Sequence, residues 1–238
     1  MQMITDFHAH ILPGIDDGSK SIEQSVLMLR QEAAQKIGHI VATPHFYADQ
    51  QSPNSFLENR MQAETRLRKA IREIPDLPSL SVGAEVYFFD GISNSEILPQ
   101  LTIGNTNAIL IEMPMFDWSE RNLQELTEIY EDRELIPIIA HLDRYIRPFH
   151  TKGLPERLAE LPVLVQANAS FFLAHKTRRL AFRLLQQNKI HLLGSDCHNL
   201  STRPPNLGDA LNAIRLQLGD QIIERIATQG NDLFSKTV

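Results

Sequence analysis

Met3-Ile4-Thr5-Asp6-Phe7-His8-Ala9-His10 is the stretch from which the rest of this chain can be read. Its apolar start is a short strand, and strand alternation puts residues i and i+2 on one face, so His8 and His10 point the same way. Two imidazoles side by side can share a divalent metal. Six further apolar runs, rich in leucine and β-branched residues, follow at 39–43, 80–85, 108–112, 136–141, 163–168 and 190–195. Each has the length of a strand. Between most of them lie amphipathic stretches, such as Ile22, Val26, Leu29, Ala33 and Ile37 at steps of three and four, with Gly38 as the expected helix C-cap. The stretches 56–74, 123–130 and 171–187 repeat the pattern, and 207–234 reads as two helices broken near Leu218-Gly219-Asp220. Repeated βα units imply parallel strands buried on both faces. Seven such strands without a Gly-rich dinucleotide fingerprint predict an α/β fold of the closed or distorted βα-barrel kind rather than an open doubly wound sheet.

Composition sets the outer bounds. A chain of 238 residues fits one domain spanning 1–238. Hydrophobic and charged fractions of 42% and 22% are those of a soluble globular protein, and no apolar run approaches a membrane span. Asp6 interrupts the first apolar run and no basic stretch precedes it, so no secretory signal is expected and the protein is placed in the cytoplasm. The single cysteine, Cys197, excludes an intrachain disulfide framework and agrees with a reducing compartment. A net charge of −6 and a pI near 5.8 argue against a general nucleic-acid surface but leave room for a local anion pocket.

Residues of metal-ligating type sit at the ends of the runs. His8 and His10 end the first, His45 follows the second, Glu85 and Glu112 end the third and fourth, His141 ends the fifth, and Asp196 and His198 follow the seventh. In a βα barrel these C-terminal strand ends converge on one face. Asp16 and Asp17, in the loop after the first run, join them; which of the two is a ligand stays open, since one could cap the helix that begins near Ser19 or Ser21. Carboxylates gathered in one pocket repel one another, and cations relieve that repulsion. Mixed nitrogen and oxygen ligands suit Mn²⁺, Fe²⁺ or Zn²⁺, whereas the lack of a thiolate set argues against a structural zinc. His-x-His alone is a weak signal, but Asp196-x-His198, Thr43-Pro44-His45 and Glu85 at equivalent strand ends strengthen it. Glu85 and Glu112 lie in apolar surroundings where an unpartnered charge is costly. His39, His150, His175 and His191 read as ordinary core or surface histidines.

The segments Asp6-Phe7-His8-Ala9-His10, Asp16-Asp17-Gly18, Ala42-Thr43-Pro44-His45, Gly83-Ala84-Glu85-Val86, Ile111-Glu112-Met113-Pro114, Ala140-His141-Leu142-Asp143-Arg144-Tyr145 and Ser195-Asp196-Cys197-His198-Asn199 carry a resemblance along nearly the full chain. The sequence resembles the polymerase and histidinol phosphatase (PHP) superfamily, and more closely the bacterial manganese-dependent tyrosine-protein phosphatases encoded with capsule and exopolysaccharide genes. That resemblance implies a distorted (β/α)7 barrel of the PHP type holding three divalent metal ions, with Mn²⁺ first and Fe²⁺ or Zn²⁺ as alternatives. By matching motif, one metal would take His8, His10, Glu85 and Asp196. Glu85 would bridge to a second that also takes Glu112 and His141, and a third would take Asp17, His45 and His198. Arg144 and Arg203 match family positions associated with phosphate binding, which a guanidinium fork performs bidentately. The family often has His-Pro-Glu-Arg-Tyr where this chain has His141-Leu142-Asp143-Arg144-Tyr145, which keeps the histidine and the arginine but alters the carboxylate between them. The implied substrate is a phosphotyrosine protein such as the autophosphorylated tail of a capsule-regulating bacterial tyrosine kinase.

The expected chemistry is in-line attack on phosphorus by a metal-bridging hydroxide, with Arg144 and Arg203 neutralising the equatorial oxygens. Cys197 and Arg203 also fit the C-x5-R spacing of cysteine-dependent tyrosine phosphatases. A lone cysteine meets an arginine at that offset by chance about one time in fifteen, and this loop lacks the glycines that help backbone N–H groups wrap a phosphate. A phosphatase of a small metabolite such as histidinol phosphate, a nuclease of the same superfamily and a non-catalytic metal-binding regulator are the alternatives. The acidic pI disfavours the nuclease, and the regulator would not need both arginines. Phe116-Asp117-Trp118 reads either as a lip for a substrate ring or as plain packing.

Overall fold

The computed structural model describes residues 3–146 and 153–235. All seven apolar runs contain strands, but the second and third are each followed by a break and a further short strand, so the described residues form nine short strands rather than seven. In chain order these residues form β1 (Thr5–Ala9), α1 (Ile22–Ala34), β2 (His39–Ala42), β3 (His45–Phe46), α2 (Pro53–Ile71), β4 (Ser79–Val82) and β5 (Glu85–Tyr87). They continue through β6 (Ala108–Glu112), α3 (Glu120–Arg133), β7 (Ile136–Ile139), α4 (Leu142–Tyr145), α5 (Leu154–Leu158) and β8 (Leu164–Asn168). The last elements are α6 (Ala169–Leu173), α7 (Arg178–Gln186), β9 (Leu192–Gly194), α8 (Leu207–Leu218) and α9 (Asp220–Ser235). The breaks fall at Thr43-Pro44 and Gly83-Ala84. Pro44 has no N–H to give to a ladder, and after it the second run leaves its first neighbours.

Every strand pairing is parallel. One sheet has the order β1-β2-β4 and the other β3-β5-β6-β7-β8-β9. The sheets are joined through the broken runs, with Glu85 N–H donating to the Pro44 carbonyl at 3.0 Å. At the other side Asp196 N–H donates to His8 O and His10 N–H to Cys197 O, both at 2.8 Å, so the segment after β9 lies against β1. The result is a curled parallel sheet. Along β6 the alternation is plain: Ile109 and Ile111 face the helices, while Ala108 and Leu110 join Phe7, Val41, Ile138 and Leu192 in a separate apolar cluster. Glu112 is next on that second face, at the C-terminal strand end. The other end is sealed by α9, whose Phe234 stacks on Phe7 with centroids 5.9 Å apart and whose Leu233 joins the same cluster.

Helix boundaries follow local chemistry. Ser21 caps α1 by accepting from Gln24 N–H, Ser52 caps α2 ahead of Pro53, and Ser119 and Asn122 form a reciprocal capping box on α3. The expected C-cap at Gly38 is displaced. α1 ends at Ala34, Lys36 takes the left-handed conformation at φ 65°, and Gly38 instead gives room to Met3, whose Cγ would lie 2.7 Å from an added Cβ. The expected helix over 171–187 is two helices, α6 and α7, separated at 174–177. The tail divides as predicted, at Gly219 with φ 86°. Among the described residues no helix is long and apolar enough to cross a membrane.

Gly194 marks a close approach between β9 and β1. A Cβ there would meet His8 Cβ at 2.5 Å, Gln166 Nε2 at 2.7 Å and the His8 backbone nitrogen at 3.0 Å. Gly194→Ala is therefore expected to destabilise the fold by about 1–3 kcal/mol, the usual cost of overpacking. Urea unfolding should show a lower midpoint with an unchanged slope; a midpoint equal to that of the parent would mean that β1 can retreat freely.

Candidate metal centre

The two imidazoles that end β1 do share a point in space. His8 Nε2 and His10 Nε2 are 3.1 Å apart, Glu85 Oε2 is 3.2 Å from each, and Asp196 Oδ1 is 3.6 Å from each. Glu85 reaches this point from the start of β5. Its other oxygen, Oε1, contacts His141 Nε2, which lies 3.7 Å from Glu112 Oε1. On the opposite side His45 Nδ1 is 2.9 Å from Glu85 Oε2, while Asp17 Oδ1 lies 3.5 Å from His45 Nε2 and 3.3 Å from His198 Nε2. All nine residues expected to hold metal are thus brought together around Glu85. Four overlapping groups could each hold an ion: His10, Asp17, His45 and His198; His8, His10 and Asp196; His8, Glu85 and His141; and His45, Glu85 and Glu112.

The donor chemistry fits divalent cations. Glu85 Oε2 and His198 Nε2 are buried without a hydrogen-bond partner, and buried polar atoms are rarely left so. Three histidines are also oriented alike. His10 Nδ1–H donates to Asp16 Oδ2 at 2.7 Å, His198 Nδ1–H to the Asp196 carbonyl at 3.0 Å, and His141 Nδ1–H to Asn168 Oδ1 at 3.3 Å. Each therefore aims Nε2 inward, the arrangement in which an imidazole serves as a metal ligand.

The choice between Asp16 and Asp17 follows from contacts that spacing does not contain. Asp16 is occupied: besides His10 it accepts from Gly18 N–H at 2.9 Å and His45 N–H at 3.2 Å. Asp17, with 64% of its side chain exposed, is the one that faces His45 and His198. Neither caps α1, whose N-cap is Ser21.

Two ligand-type residues adopt backbone conformations that L-residues avoid. His141 has φ 48° and Asp196 φ 54°, positions that cost roughly 1–3 kcal/mol and persist only where the surroundings impose them. His141 N–H is held by Gln166 Oε1 at 2.8 Å, and Asp196 N–H by the His8 carbonyl. Simple strand alternation therefore does not aim Asp196 and His198, because β9 ends at Gly194. Cys197 turns away from the cluster, held by a parallel bridge between Cys197 and Ala9. Its thiol is wholly buried with Met28, Leu29 and Ile40. Burial, with Glu32 and Asp6 nearby, pushes that thiol well above its ordinary pKa.

Electrostatics divide the site. Burial opposes a charge on His10, but the Asp16 and Glu85 carboxylates prevail and raise it to about 10. Asp16, despite its own burial, is held down to about 2 by His10 and the Gly18 N–H. Glu112 is raised by burial and by Glu85, and His198 is lowered to about 4 by burial and by His10. Two arginines flank Asp196. Arg144 Nη2 is 2.7 Å from its Oδ2, with Nη1 3.1 Å from Glu112 Oε1, and Arg203 Nη2 is 2.7 Å from its Oδ1.

Sequence reasoning missed several supporting side chains. Asn168, at the end of β8, accepts from Gln166 Nε2 at 3.1 Å and donates to Asp196 Oδ2 at 3.0 Å while orienting His141. Asp143, the altered carboxylate of the His141 segment, accepts from Asn168 N–H at 2.9 Å. Asp6 Oδ1 accepts from both His8 N–H and Ser195 N–H, at 3.0 and 2.9 Å, pinning β1 to the chain after β9. The available signal was a polar residue ending an apolar run, which Asn168 shares with the ligands. Of the histidines read as ordinary, His39 is buried against Thr5 and Ser81, His191 accepts from Val165 N–H, and His175 is exposed. His150 lies outside the described residues. Trp118 is packing, its indole N–H donating to Pro114 O and its ring set edge-on to Tyr145, whereas Phe116 is exposed.

Comparison with known proteins finds relatives along nearly the full chain. The family model for capsular polysaccharide synthesis, CpsB/CapC, matches residues 4–233. Tyrosine-protein phosphatase YwqE of Bacillus subtilis (strain 168) is 31% identical over 224 residues, covering 91% of this chain and 86% of its own. Tyrosine-protein phosphatase CpsB of Streptococcus pneumoniae is 28% identical over 225 residues, covering 90% of each. A crystal structure from the pair YwqE and CpsB of the same two species, described as unique metal-dependent tyrosine phosphatases, superposes with a TM-score of 0.84 at 25% identity, covering 99% of this chain and 96% of that one.

Two outcomes follow from the contacts of Asn168 and Asp16. Asn168→Ala should weaken metal binding by about 10–100-fold, the usual effect of losing a group that orients ligands; competition against a chromophoric chelator reads this directly, and parental affinity would show that His141 and Asp196 are held without it. The second outcome concerns the chelator-stripped protein. His10 is raised, so its stabilisation is complete below its ordinary 6.5 and is lost as pH rises through about 10. Asp16 is lowered, so its share is present above its ordinary 3.8 and is lost as pH falls through about 2. Asp16→Asn should accordingly shrink the fall in unfolding midpoint between pH 6.5 and about 10; an equal fall in both proteins would mean that Asp16 does not hold the His10 proton.

Proposed function

The chain belongs to the capsular polysaccharide synthesis CpsB/CapC family, and we propose that it is a metal-dependent protein-tyrosine phosphatase. Its substrate is a phosphotyrosine protein, in our reading the tail of a bacterial tyrosine kinase that controls capsule or exopolysaccharide synthesis. The observation that carries this reading is the placing of Arg144 and Arg203 on the two oxygens of Asp196, beside the cluster around Glu85. A site for metal alone has no use for two guanidinium groups; a site for a phosphoryl dianion has. We assign the chain to one domain over 1–238, a distorted (β/α)7 barrel of the PHP type, acting in the cytoplasm and not on nucleic acid.

Three divalent ions, Mn²⁺ by preference, suit the nitrogen and oxygen donors. His8, His10, Glu85 and Asp196 would hold one, Glu85, Glu112 and His141 a second, and Asp17, His45 and His198 a third. When bound, such ions polarise phosphoryl oxygens and make water acidic enough to attack near neutral pH. The chain's own residues do the rest. Arg144 and Arg203 orient the phosphoryl group and neutralise charge growing on its equatorial oxygens. Asp16, Asn168 and the Asp196 carbonyl accept from Nδ1 of His10, His141 and His198, which leaves Nε2 of each as the nitrogen that would face a metal. A phenolate leaving group with a parent pKa of about 10 departs more readily than an alkoxide, which favours aryl esters. Cys197, buried and unionised, takes no part.

The test is phosphate release from a phosphotyrosine peptide, histidinol phosphate and a single-stranded oligonucleotide. Activity on the peptide should vanish on chelation and return with Mn²⁺. Arg144→Ala or Arg203→Ala should lower kcat/KM about a hundredfold or more, while Cys197→Ser keeps the parental rate. Full activity of the stripped protein, or a preference for histidinol phosphate, would defeat the proposal.

A further inference from the structure

The phosphotyrosine reading leaves unassigned what recognises the ring. A cleft of about 420 Å³ opens at the metal cluster, lined by Asp16, Asp17 and His45 and by Ile15, Tyr47 and Gln51 among others. Its lining is polar beside the cluster, and among the described residues Tyr47 is its only aromatic ring apart from His45.

Tyr47 follows His45 by two residues, and Tyr87 follows Glu85 by two. β3 and β5 pair in register as His45↔Glu85 and Phe46↔Val86, so the two tyrosines stand side by side on the ligand face, one side-chain repeat beyond the ligands, about 6.6 Å along the strands. Their ring centroids are 5.6 Å apart, and Tyr47 is 5.2 Å from the His45 ring at an angle of 30°. Phe46, between His45 and Tyr47, turns to the other face and packs on Phe56. The two tyrosines also differ from the structural tyrosine of the site. Tyr145 is buried and its hydroxyl accepts from Met113 N–H at 2.9 Å. Tyr47 and Tyr87 are half-buried, and among the described residues neither hydroxyl has a hydrogen-bond partner.

We infer that Tyr47 determines specificity for an aromatic ester: backed by Tyr87, its ring packs on the phenyl ring of an aryl phosphate whose phosphoryl group lies among Asp17, His45 and Arg203. An alkyl phosphate placed in the same way presents nothing to that ring. The inference rests on the phosphotyrosine reading but makes a separate demand, that truncating Tyr47 weakens aryl ligands selectively.

Phenylphosphonate and methylphosphonate are non-hydrolysable probes that share the anionic group and differ in the ring. Their dissociation constants for the Mn²⁺-loaded protein can be measured by calorimetry without turnover. Tyr47→Ala is expected to weaken phenylphosphonate about three- to tenfold, the worth of one aromatic pair, and to leave methylphosphonate within twofold. Tyr47→Phe should keep the parental value for both, which separates loss of the ring from loss of the hydroxyl and guards against a misfolded variant. Equal weakening of both probes, or none, would overturn the assignment while leaving the phosphatase reading intact if the parent still hydrolyses phosphotyrosine peptide. A parent that binds neither probe would remove both.

Discussion

Glu85 is wholly buried, and its two carboxylate oxygens face four imidazoles: His8, His10 and His45 at Oε2 and His141 at Oε1. A carboxylate taken out of water survives as a charge only if it is surrounded by positive or donating groups. Here burial alone would raise its pKa, yet the neighbouring His8 and His141 hold it well below the ordinary carboxylate range. That requirement ties together parts of the chain that are far apart. The C-terminal end of β1, the starts of β3 and β5 and the turn after β7 must all come to one height, which the parallel registers provide.

The ends of the sheet then take opposite characters from the same alternation. On β6, Ala108 and Leu110 lie in the apolar cluster sealed by Phe7, Leu233 and Phe234, and Glu112 follows them at the rim. The apolar end resists water and keeps the strand ends from moving relative to one another, so the polar end can hold its groups without their own packing. Strain is tolerated at that rim. His141 and Asp196 occupy left-handed conformations because Gln166, Asn168 and the His8 carbonyl hold them there. Positive charge enters from outside through Arg144 and Arg203, which remain partly exposed and can reach a ligand from solvent.

Much of this is legible in the residues themselves. The seven apolar runs and the residue types at their ends follow from local periodicity, and each contains a strand. The supporting groups were less readable. Gln166 and Asn168 are neutral amides whose role depends on which backbone N–H or imidazole lies opposite, and nothing along β8 reveals that. Glycine favours a helix C-cap, so the pattern predicts one at Gly38, but Lys36 fills that place and the glycine answers instead to Met3, more than thirty residues earlier in the chain.

By itself the sequence determined the strand and helix alternation and the set of ligand types, because these depend on the side-chain period of two or 3.6 and on what a residue can chemically donate. The tertiary structure alone decided that Asp17 and not Asp16 faces His45 and His198, that Cys197 is turned into the core, and that both arginines meet on Asp196. Each of these depends on the bridge between Ala9 and Cys197 and on the placing of the chain after β9 against β1. Contacts between segments nearly 190 residues apart are set by the packing of the whole sheet, and no local pattern encodes them.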